Sequence, residues 1–407
     1  MQIKSLSIHD FRNIEQADFY ASPGINFFEG LNGQGKTSIL EAITLLTSLG
    51  SFRTHHLGEI IRQGQTSTWV TGKITDSDHV EFETELKVAL TSQAGLIAPR
   101  KAAWVNGHLH RTASSYLAQR HNTVQLGVHS VIFNPTDHDL VRGAPNVRRA
   151  YLDRVVSAED LDHLESLRRY QKALQQRNRI LKEGGSAFGA EAISFETVLI
   201  SEGARIALRR VSWLHANESL LWKFLEKIAP AQPAPGLSYL SPWVASSVPL
   251  DLSEYLTALS HAFQKSRARE NLAGVTLAGP HRDDWDFKLG QSHLRAVGSQ
   301  GEIRSVLLAL KLTEVSAFSR ATSQKPVLLL DDFSSELDLN RRAFLLENLT
   351  QSGIQIFVTA TEAPLRRFAE FFVENGKIRQ NRSVEEPNFA KNQLLERSPS
   401  QQSPDQT

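Results

Sequence analysis

The chain has 407 residues, 41% hydrophobic and 22% charged, enough for two or three domains or for one core carrying a large insertion. Lysine plus arginine number 45 against 44 aspartate plus glutamate, which excludes a globally basic nucleic-acid coat and leaves any anion site to local patches. Cysteine is absent, excluding a disulfide framework, a thiolate zinc site, an iron–sulfur cluster and a cysteine nucleophile; with no apolar run of about 18 residues and charges mixed into the first twelve, the expectation is a soluble, cytoplasmic chain without a membrane span.

The first 20 residues alternate apolar Ile3, Leu6 and Ile8 with polar neighbours, as a half-buried strand does. A short apolar run around Phe27 and Phe28 leads into Gly30. From Lys36 the spacing turns helical through Ile39, Leu40, Ile43 and Leu46, and Gly50 closes that run. Strand patterns return at 68–73 and 80–89, and Asn106-Gly107 is a hairpin turn signal. Residues 155–228 are charged and helical: Leu161, Leu164, Leu167 and Leu174 mark one face. Val198, Ile206, Leu208, Val211 and Leu214 mark a second helix beyond the glycines at 184, 185 and 189. Two long helices with a short connection predict an antiparallel arm. A Pro/Ser-rich patch near 230–242 reads as a loop, 275–277 as strand, Gly301 as the start of a helix, and 326–330 and 354–358 as buried strands. The expected division is 1–154 and 274–381 for the two parts of a head, 155–273 for an inserted helical arm, and 382–407 for a disordered tail.

Gly30-Leu31-Asn32-Gly33-Gln34-Gly35-Lys36-Thr37 matches G-x-x-x-x-G-K-[ST] without a mismatch, between a strand and a helix. Its glycines let the backbone wrap an anion, Lys36 reaches the β- and γ-phosphates, and Thr37 can take a place on Mg²⁺ beside the positive end of the helix. The chain is therefore expected to bind a nucleoside triphosphate, ATP with Mg²⁺. Asp331, at the end of a buried strand, is the expected metal partner. Asp332 could polarise the attacking water as general base, although adjacent carboxylates also cap turns.

Ser299-Gln300-Gly301 opens a helix whose apolar positions share one face, and 335–338 follow the acidic pair as a Leu-Asp turn. Phosphate loop, Ser-x-Gly signature, strand with acids, Leu-Asp turn: this order resembles the ABC-type ATPase head, an α/β fold with mixed sheets, here with an inserted α-helical arm. Within it, Phe11-Arg12-Asn13, Ser51-Phe52-Arg53, the segment 134–153 with Arg148-Arg149, and 279–284 (GPHRDD) make the sequence similar to the RecF family from residue 1 to about 380. That resemblance implies ATP-dependent dimers in which Ser299, Gln300 and Gly301 close on the partner's nucleotide. It further implies binding at gapped or single-strand/duplex junction DNA in recombinational repair, replication restart and the SOS response. RecR as a partner, and a weak DNA-stimulated ATPase serving as a switch, belong to the same implication. A P-loop kinase and a short SMC-like bridging ATPase are the rival readings.

The sequence departs from the ABC pattern in three places. Asn134-Pro135 stands where a metal-touching glutamine is expected, with Gln125 nearby; Thr359 stands where many heads carry a histidine; and Asp332 replaces a glutamate, which predicts slow hydrolysis. For DNA, Arg168, Arg169, Lys172, Arg177, Arg179 and Lys182 form an acid-free basic run on the arm, the expected phosphate-contacting face unless it is merely a solvated one. Arg148 and Arg149 cannot share a helix face: one could pair with a carboxylate and the other meet phosphate, or both could be structural. His281-Arg282 has no chemical role legible in sequence, and His55-His56 shows no metal spacing.

Overall fold

A computed structural model describes residues 2–75, 83–92, 98–117, 120–121, 124–125, 129–233, 235–244, 251–289, 291–332, 353–361 and 369–382. Its centre is a six-stranded sheet in the order Ser130–Phe133, Val327–Leu330, Ile356–Ala360, Ile25–Glu29, Ala369–Glu374 and Lys377–Arg382. The first five strands are parallel and the last returns antiparallel through a hairpin. Four of the five parallel strands are buried on both faces, which explains their apolar runs, whereas Ala369–Glu374 alternates, with Phe371 and Val373 buried and Phe372 and Glu374 exposed. Phe28, Leu329 and Phe357 enter one core with the phosphate-loop helix Lys36–Ser48. Phe27, Leu328 and Val358 enter the other with the long helix Gln300–Thr322.

A second six-stranded sheet, fully antiparallel, packs over the phosphate-loop helix in the order Ile14–Tyr20, Gln2–Phe11, Ser67–Thr75, Glu83–Thr91, Arg100–Val105 and His108–His110. The first strand buries Ile3, Leu6, Ile8 and Phe11, with a register shift between Ile3 and Ser5; this irregularity restores the inward face that plain alternation from Ile3 would lose. Asn106 and Gly107 form the expected turn with φ of 48° and 77°. The phosphate-loop helix ends differently from the sequence reading: it stops at Ser48, and Leu49, not Gly50, takes the left-handed cap with φ 57°.

The arm hairpin consists of Leu161–Lys182 and Ala190–Ile228, joined across the expected glycines. A third helix, Leu252–Ala273, was not legible in sequence and packs along the second. The first arm helix buries His163, Tyr170, Ala173, Arg177 and Leu181, while Leu161, Leu164 and Leu167 are only half-buried and line a cavity against Leu117, Phe318 and the Pro145–Glu159 helix. The leucine stripe is thus not the buried face. The Pro/Ser-rich patch contains the strand Gly236–Leu240, and 275–277 is not a strand; the strand lies beyond, at Asp284–Leu289. Arm helices and the Gln300–Thr322 helix share one continuous apolar core. Among the described residues no helix is long and apolar enough to cross a membrane. The expected tail, apart from Arg382, and the 335–338 turn lie outside the described residues.

Candidate functional site

The strand order brings three chain-distant pieces to one sheet edge. Ile356–Ala360 lies between the strand that feeds the phosphate loop and the strand that ends in the acids, so all three C-terminal ends face the same way. There they form a cleft of about 630 Å³ lined by Asn32, Gly33, Gly35, Lys36, Thr37, Asp331, Asp332 and Thr359. Lys36 Nζ donates to the carbonyls of Gly30 and Leu31 at 2.5 and 2.9 Å. Burial lowers its pKa, and the charges of Asp332 and Asp331 oppose that shift.

Thr359 is the group sequence reasoning passed over. Its hydroxyl donates to Asp331 Oδ1 at 2.7 Å and accepts the Asp332 backbone N–H at 2.9 Å, so one side chain sets both acids. Thr37 Oγ1 donates to the same Asp331 oxygen at 2.9 Å. Burial raises the Asp331 pKa, and these two hydroxyl donors pull it down. Asp332 takes a φ of 50°, a left-handed position costly for a residue with a Cβ, fixed here by that N–H bond. Thr359 thereby orients the two acids through hydrogen bonds rather than by a titrating group.

A second layer rests on Glu41, fully buried on the phosphate-loop helix. Arg12 reaches it bidentately at 2.7 and 3.0 Å, Arg53 at 3.3 Å, and Ser51 donates to it. Arg12 and Asn13 form the turn between the first two strands, and Asn13 Nδ2 donates to Gly33 O at 3.1 Å while accepting from Ser38. Both arginines and Asn13 line the cleft. The motifs Phe11-Arg12-Asn13 and Ser51-Phe52-Arg53 are thus explained by one buried carboxylate.

Not every residue of the phosphate loop faces this cleft. Leu31, 75% exposed, and Gln34 line a separate depression with Phe372 and the turn of the last hairpin. Gln34 Oε1 accepts the Asn375 N–H at 2.6 Å and its carbonyl accepts Gly376 N–H at 2.9 Å. A Cβ at Gly30 would sit 2.3 Å from Val373 O, so glycine is required there for strand packing. The side chain of Gln34 thus anchors the loop to the last hairpin and that of Leu31 stands exposed outside the cleft, which leaves their backbone N–H groups as their means of meeting a phosphate. Pro135 lines the cleft, whereas Asn134 is spent capping the following turn with Asp137; of Gln125 the described structure gives only the backbone, in a short strand.

Ser299 caps the Gln300–Thr322 helix in a capping box with Glu302: Glu302 N–H donates to Ser299 Oγ at 3.2 Å and Ser299 N–H to Glu302 Oε2 at 2.8 Å. Ser299, Gln300 and Gly301 are exposed and do not line their own chain's cleft.

The remaining charged motifs close a joint between arm and head. Arg148 is fully buried and pairs bidentately with Asp284 at 2.7 and 2.8 Å, and Arg149 donates to Asp283 O at 2.6 Å. Both arginines are structural. Arg210 from the arm holds Asp153 and Pro280 O, while His281 Nε2–H donates to Thr276 O and its Nδ1 accepts from Tyr170 OH, which gives the 279–284 segment its role as a joint. Burial lowers the His281 pKa to about 4 and raises that of Asp283 to about 6. On the arm, Arg177 is fully buried between Glu196 and Glu270 at 2.8 and 2.7 Å and cannot reach DNA, a correction to the basic-run reading. Arg168, Arg169 and Arg179 are exposed but face Glu165, Glu202 and Glu183; Lys172 and Lys182 are exposed. His55 and His56 are exposed and, among the described residues, no cluster of metal-binding side chains occurs.

Over residues 2–383 the chain matches the RecF/RecN/SMC N terminal domain family. It is 32% identical over 396 residues to the DNA replication and repair protein RecF of Geotalea daltonii, covering 93% of this chain and 100% of that one. To the protein of the same description from Geobacter sulfurreducens it is 34% identical over 385 residues, covering 93% and 99%. Among solved structures, the recombination mediator protein RecF-ATP in the RecFOR pathway superimposes with a TM-score of 0.82 at 29% identity over 93% of this chain and 97% of that one. The Smc head domain of Pyrococcus furiosus with an extended coiled coil, at 16% identity and TM-score 0.51 over 97% and 98%, shares the fold alone.

Proposed function

The chain belongs to the RecF family, and on that premise we propose that it is an ATP-dependent DNA-binding protein of DNA replication and recombinational repair, with nucleotide binding and slow hydrolysis as its switch. The observation that carries this reading is the convergence of Lys36, Thr37, Asp331, Asp332 and Thr359 in one cleft. Asn32, Gly33, Gly35 and Lys36 hold the triphosphate by backbone N–H groups and one ammonium, and Arg12 and Arg53 offer guanidinium groups from their seat on Glu41. Thr37 and Asp331 present oxygen donors only, the set that Mg²⁺ takes, and fit that ion; when bound it supplies charge neutralisation at the phosphates. Asp332 accepts the proton of the attacking water, and its short side chain accounts for slow turnover.

Ser299, Gln300 and the Gly301 N–H serve the nucleotide of a second copy, because they stand exposed at a helix N-terminus outside their own cleft. ATP then holds a homodimer closed, and hydrolysis opens it. We assign the DNA to gaps or single-strand/duplex junctions, with a RecR-type mediator as partner in replication restart and the SOS response. On the arm, contact runs through Lys172 and Lys182, aided by Arg168, Arg169 and Arg179. The head therefore comprises 1–154 and 274–381 and the arm 155–273.

Sedimentation with and without ATP and gapped DNA tests this reading: ATP should yield dimers that gapped DNA stabilises. Ser299→Arg should bind ATP as a monomer, and mixing it with Lys36→Ala should restore some ATPase by completing one composite site. A Ser299→Arg protein that still dimerises with ATP rules out the two-copy site.

A further inference from the structure

From Leu86 to Thr136 the sequence holds no aspartate or glutamate, but it holds Lys87, Arg100, Lys101, Arg111 and Arg120. Residues 86–91 and 100–110 of this span build the outer end of the antiparallel sheet, where Arg100–Val105 and His108–His110 form the edge hairpin. Resting on the DNA-binding reading above, we infer that this edge hairpin, with Arg111 and the adjoining Lys87, is a surface for the sugar-phosphate backbone of duplex DNA.

Charge complementarity carries the argument. Arg100 and Arg111 are exposed, and among the described residues no carboxylate pairs with either, in contrast to the arm, where Arg168, Arg169 and Arg179 each face a glutamate. Lys101 shows what a structural cation looks like here: its ammonium turns inward to Leu49 O at 2.8 Å. Among the described residues, exposed Glu59 stands next to Gly58, which approaches Pro99, and further acids lie at the turn end, where Lys73 pairs with Glu83 and Glu85 lies beside the Asn106 turn. Arg100 sits at the opposite end, paired across the strand with Thr91, and Arg111 follows His110, which is paired with Ala103.

The aromatic groups on the same face select between kinds of nucleic acid. A single strand would be held by stacking bases on open rings. Here Trp69 is stacked on His9 at 3.9 Å, and Lys87 lies over both Trp69 and Trp104 at 5.1 and 5.8 Å, so Trp69 is flanked by His9 and Lys87 and the indoles' role is to hold the ammonium in place. Beside the half-buried Trp104 and the exposed Leu109, what this face offers is cations on a flat sheet, which suits a backbone rather than bases. The patch also adjoins the nucleotide cleft: a side chain at Gly58 would meet Pro99 at 3.8 Å, and the Leu57–Ile60 turn continues into Ile61 and Gln63 of the cleft wall.

The test is Arg100→Glu/Arg111→Glu in the full chain with ATP, titrated against a duplex and a single strand of equal length over a range of salt. Glutamate keeps the sheet edge charged, so edge-to-edge association does not confound the result. Duplex affinity should fall at least 10-fold near 0.1 M salt, and the log–log salt slope by about 1.8, roughly 0.9 per lost contact. ATP affinity without DNA should match the parent, and Arg100→Gln/Arg111→Gln should show the same fall in slope. Unchanged duplex affinity and slope in a parent-like fold sink this surface while leaving the DNA reading standing. A loss confined to the single strand overturns the duplex assignment, and a parent that binds no DNA sinks the DNA reading and this surface together.

Discussion

The nucleotide cleft and the arm–head joint are built from the same parts, arginines on carboxylates at 2.7 Å, yet they are buried the opposite way round. At the joint the arginine is the buried partner: Arg148 has no exposed surface and Arg210 almost none. In the cleft the carboxylate is buried, Glu41 completely, while the Arg53 side chain keeps 44% of its surface and Arg12 19%. The buried guanidiniums of Arg148 and Arg210 engage protein acceptors through Nε, Nη1 and Nη2 and face almost no solvent, so they act as struts. A buried carboxylate under partly exposed guanidiniums fixes them at the cleft wall: Arg12 also spends Nη1 on Glu59 O at 2.8 Å, while Arg53, held through Nη1 at 3.3 Å, presents the more exposed guanidinium to an outside anion. Which member of the pair is buried therefore distinguishes scaffold from site.

That difference predicts that variants of the joint are read by melting and variants of the cleft by ligand. The largest effect is expected for Arg148→Met, which strands Asp284 and should cost about 3 kcal/mol of stability in denaturant unfolding. ATP affinity of the protein that remains folded should be unchanged; a loss of affinity with no loss of stability would erase the distinction. Lys36→Ala should do the reverse, lowering ATP affinity on the order of 10²-fold through its lost charge-assisted bonds while the melting temperature without nucleotide stays put. Asp332→Asn should leave ATP binding and dimerisation intact and slow hydrolysis about 10²-fold. Thr359→Val keeps the shape of the side chain but deletes the hydroxyl; turnover should drop roughly 10-fold, with a higher Mg²⁺ concentration needed for half-maximal rate. Thr359→Ser should restore both, and a serine variant as poor as valine would assign the effect to packing.

The smallest effect sharpens the comparison by pH. His281 in the joint has its pKa lowered by burial to about 4, so between about pH 6.5 and 4 the unfolded chain takes up a proton that the folded chain refuses. Its contribution to stability is lost as pH falls. Asp283, raised by burial to about 6, runs the other way, holding its proton in the folded state as pH falls through 6. His281→Asn removes the first term alone. Its stability deficit relative to the parent should shrink by roughly 2 kcal/mol between pH 7 and pH 5, measured by unfolding at each pH.

The phosphate loop was legible because each of its requirements is local. Glycine freedom, a lysine at a fixed offset and a strand-to-helix switch are properties of eight consecutive residues, and the structure forms that loop between the expected strand and helix. The buried strands, the 106–107 turn and the helix start at Ser299 were legible for the same reason: apolar period, turn chemistry and capping are settled within a few residues. The helix Leu252–Ala273 was missed because its buried face is sparse, only Tyr255, Leu259, Phe263, Ser266 and Glu270, so its period does not stand out from the polar text around it.

Partnership is another matter, because it depends on contacts that the chain closes over long separations. Arg177 stands in an acid-free run, yet it meets Glu196 and Glu270, 19 and 93 residues away, and is lost to DNA. Gln34 sits inside a nucleotide motif, yet its side chain anchors a hairpin 341 residues on. Thr359 looked like a missing histidine, and only the insertion of its strand between the phosphate-loop strand and the acid strand made it the residue that orients both acids. Sequence alone determined the phosphate loop, the 106–107 turn and the strongly periodic elements, since those follow from backbone sterics and apolar period over a few residues. The tertiary structure decided which charges are spent and which are offered, because a charge is neutralised or presented by whatever the fold brings within 3 Å of it.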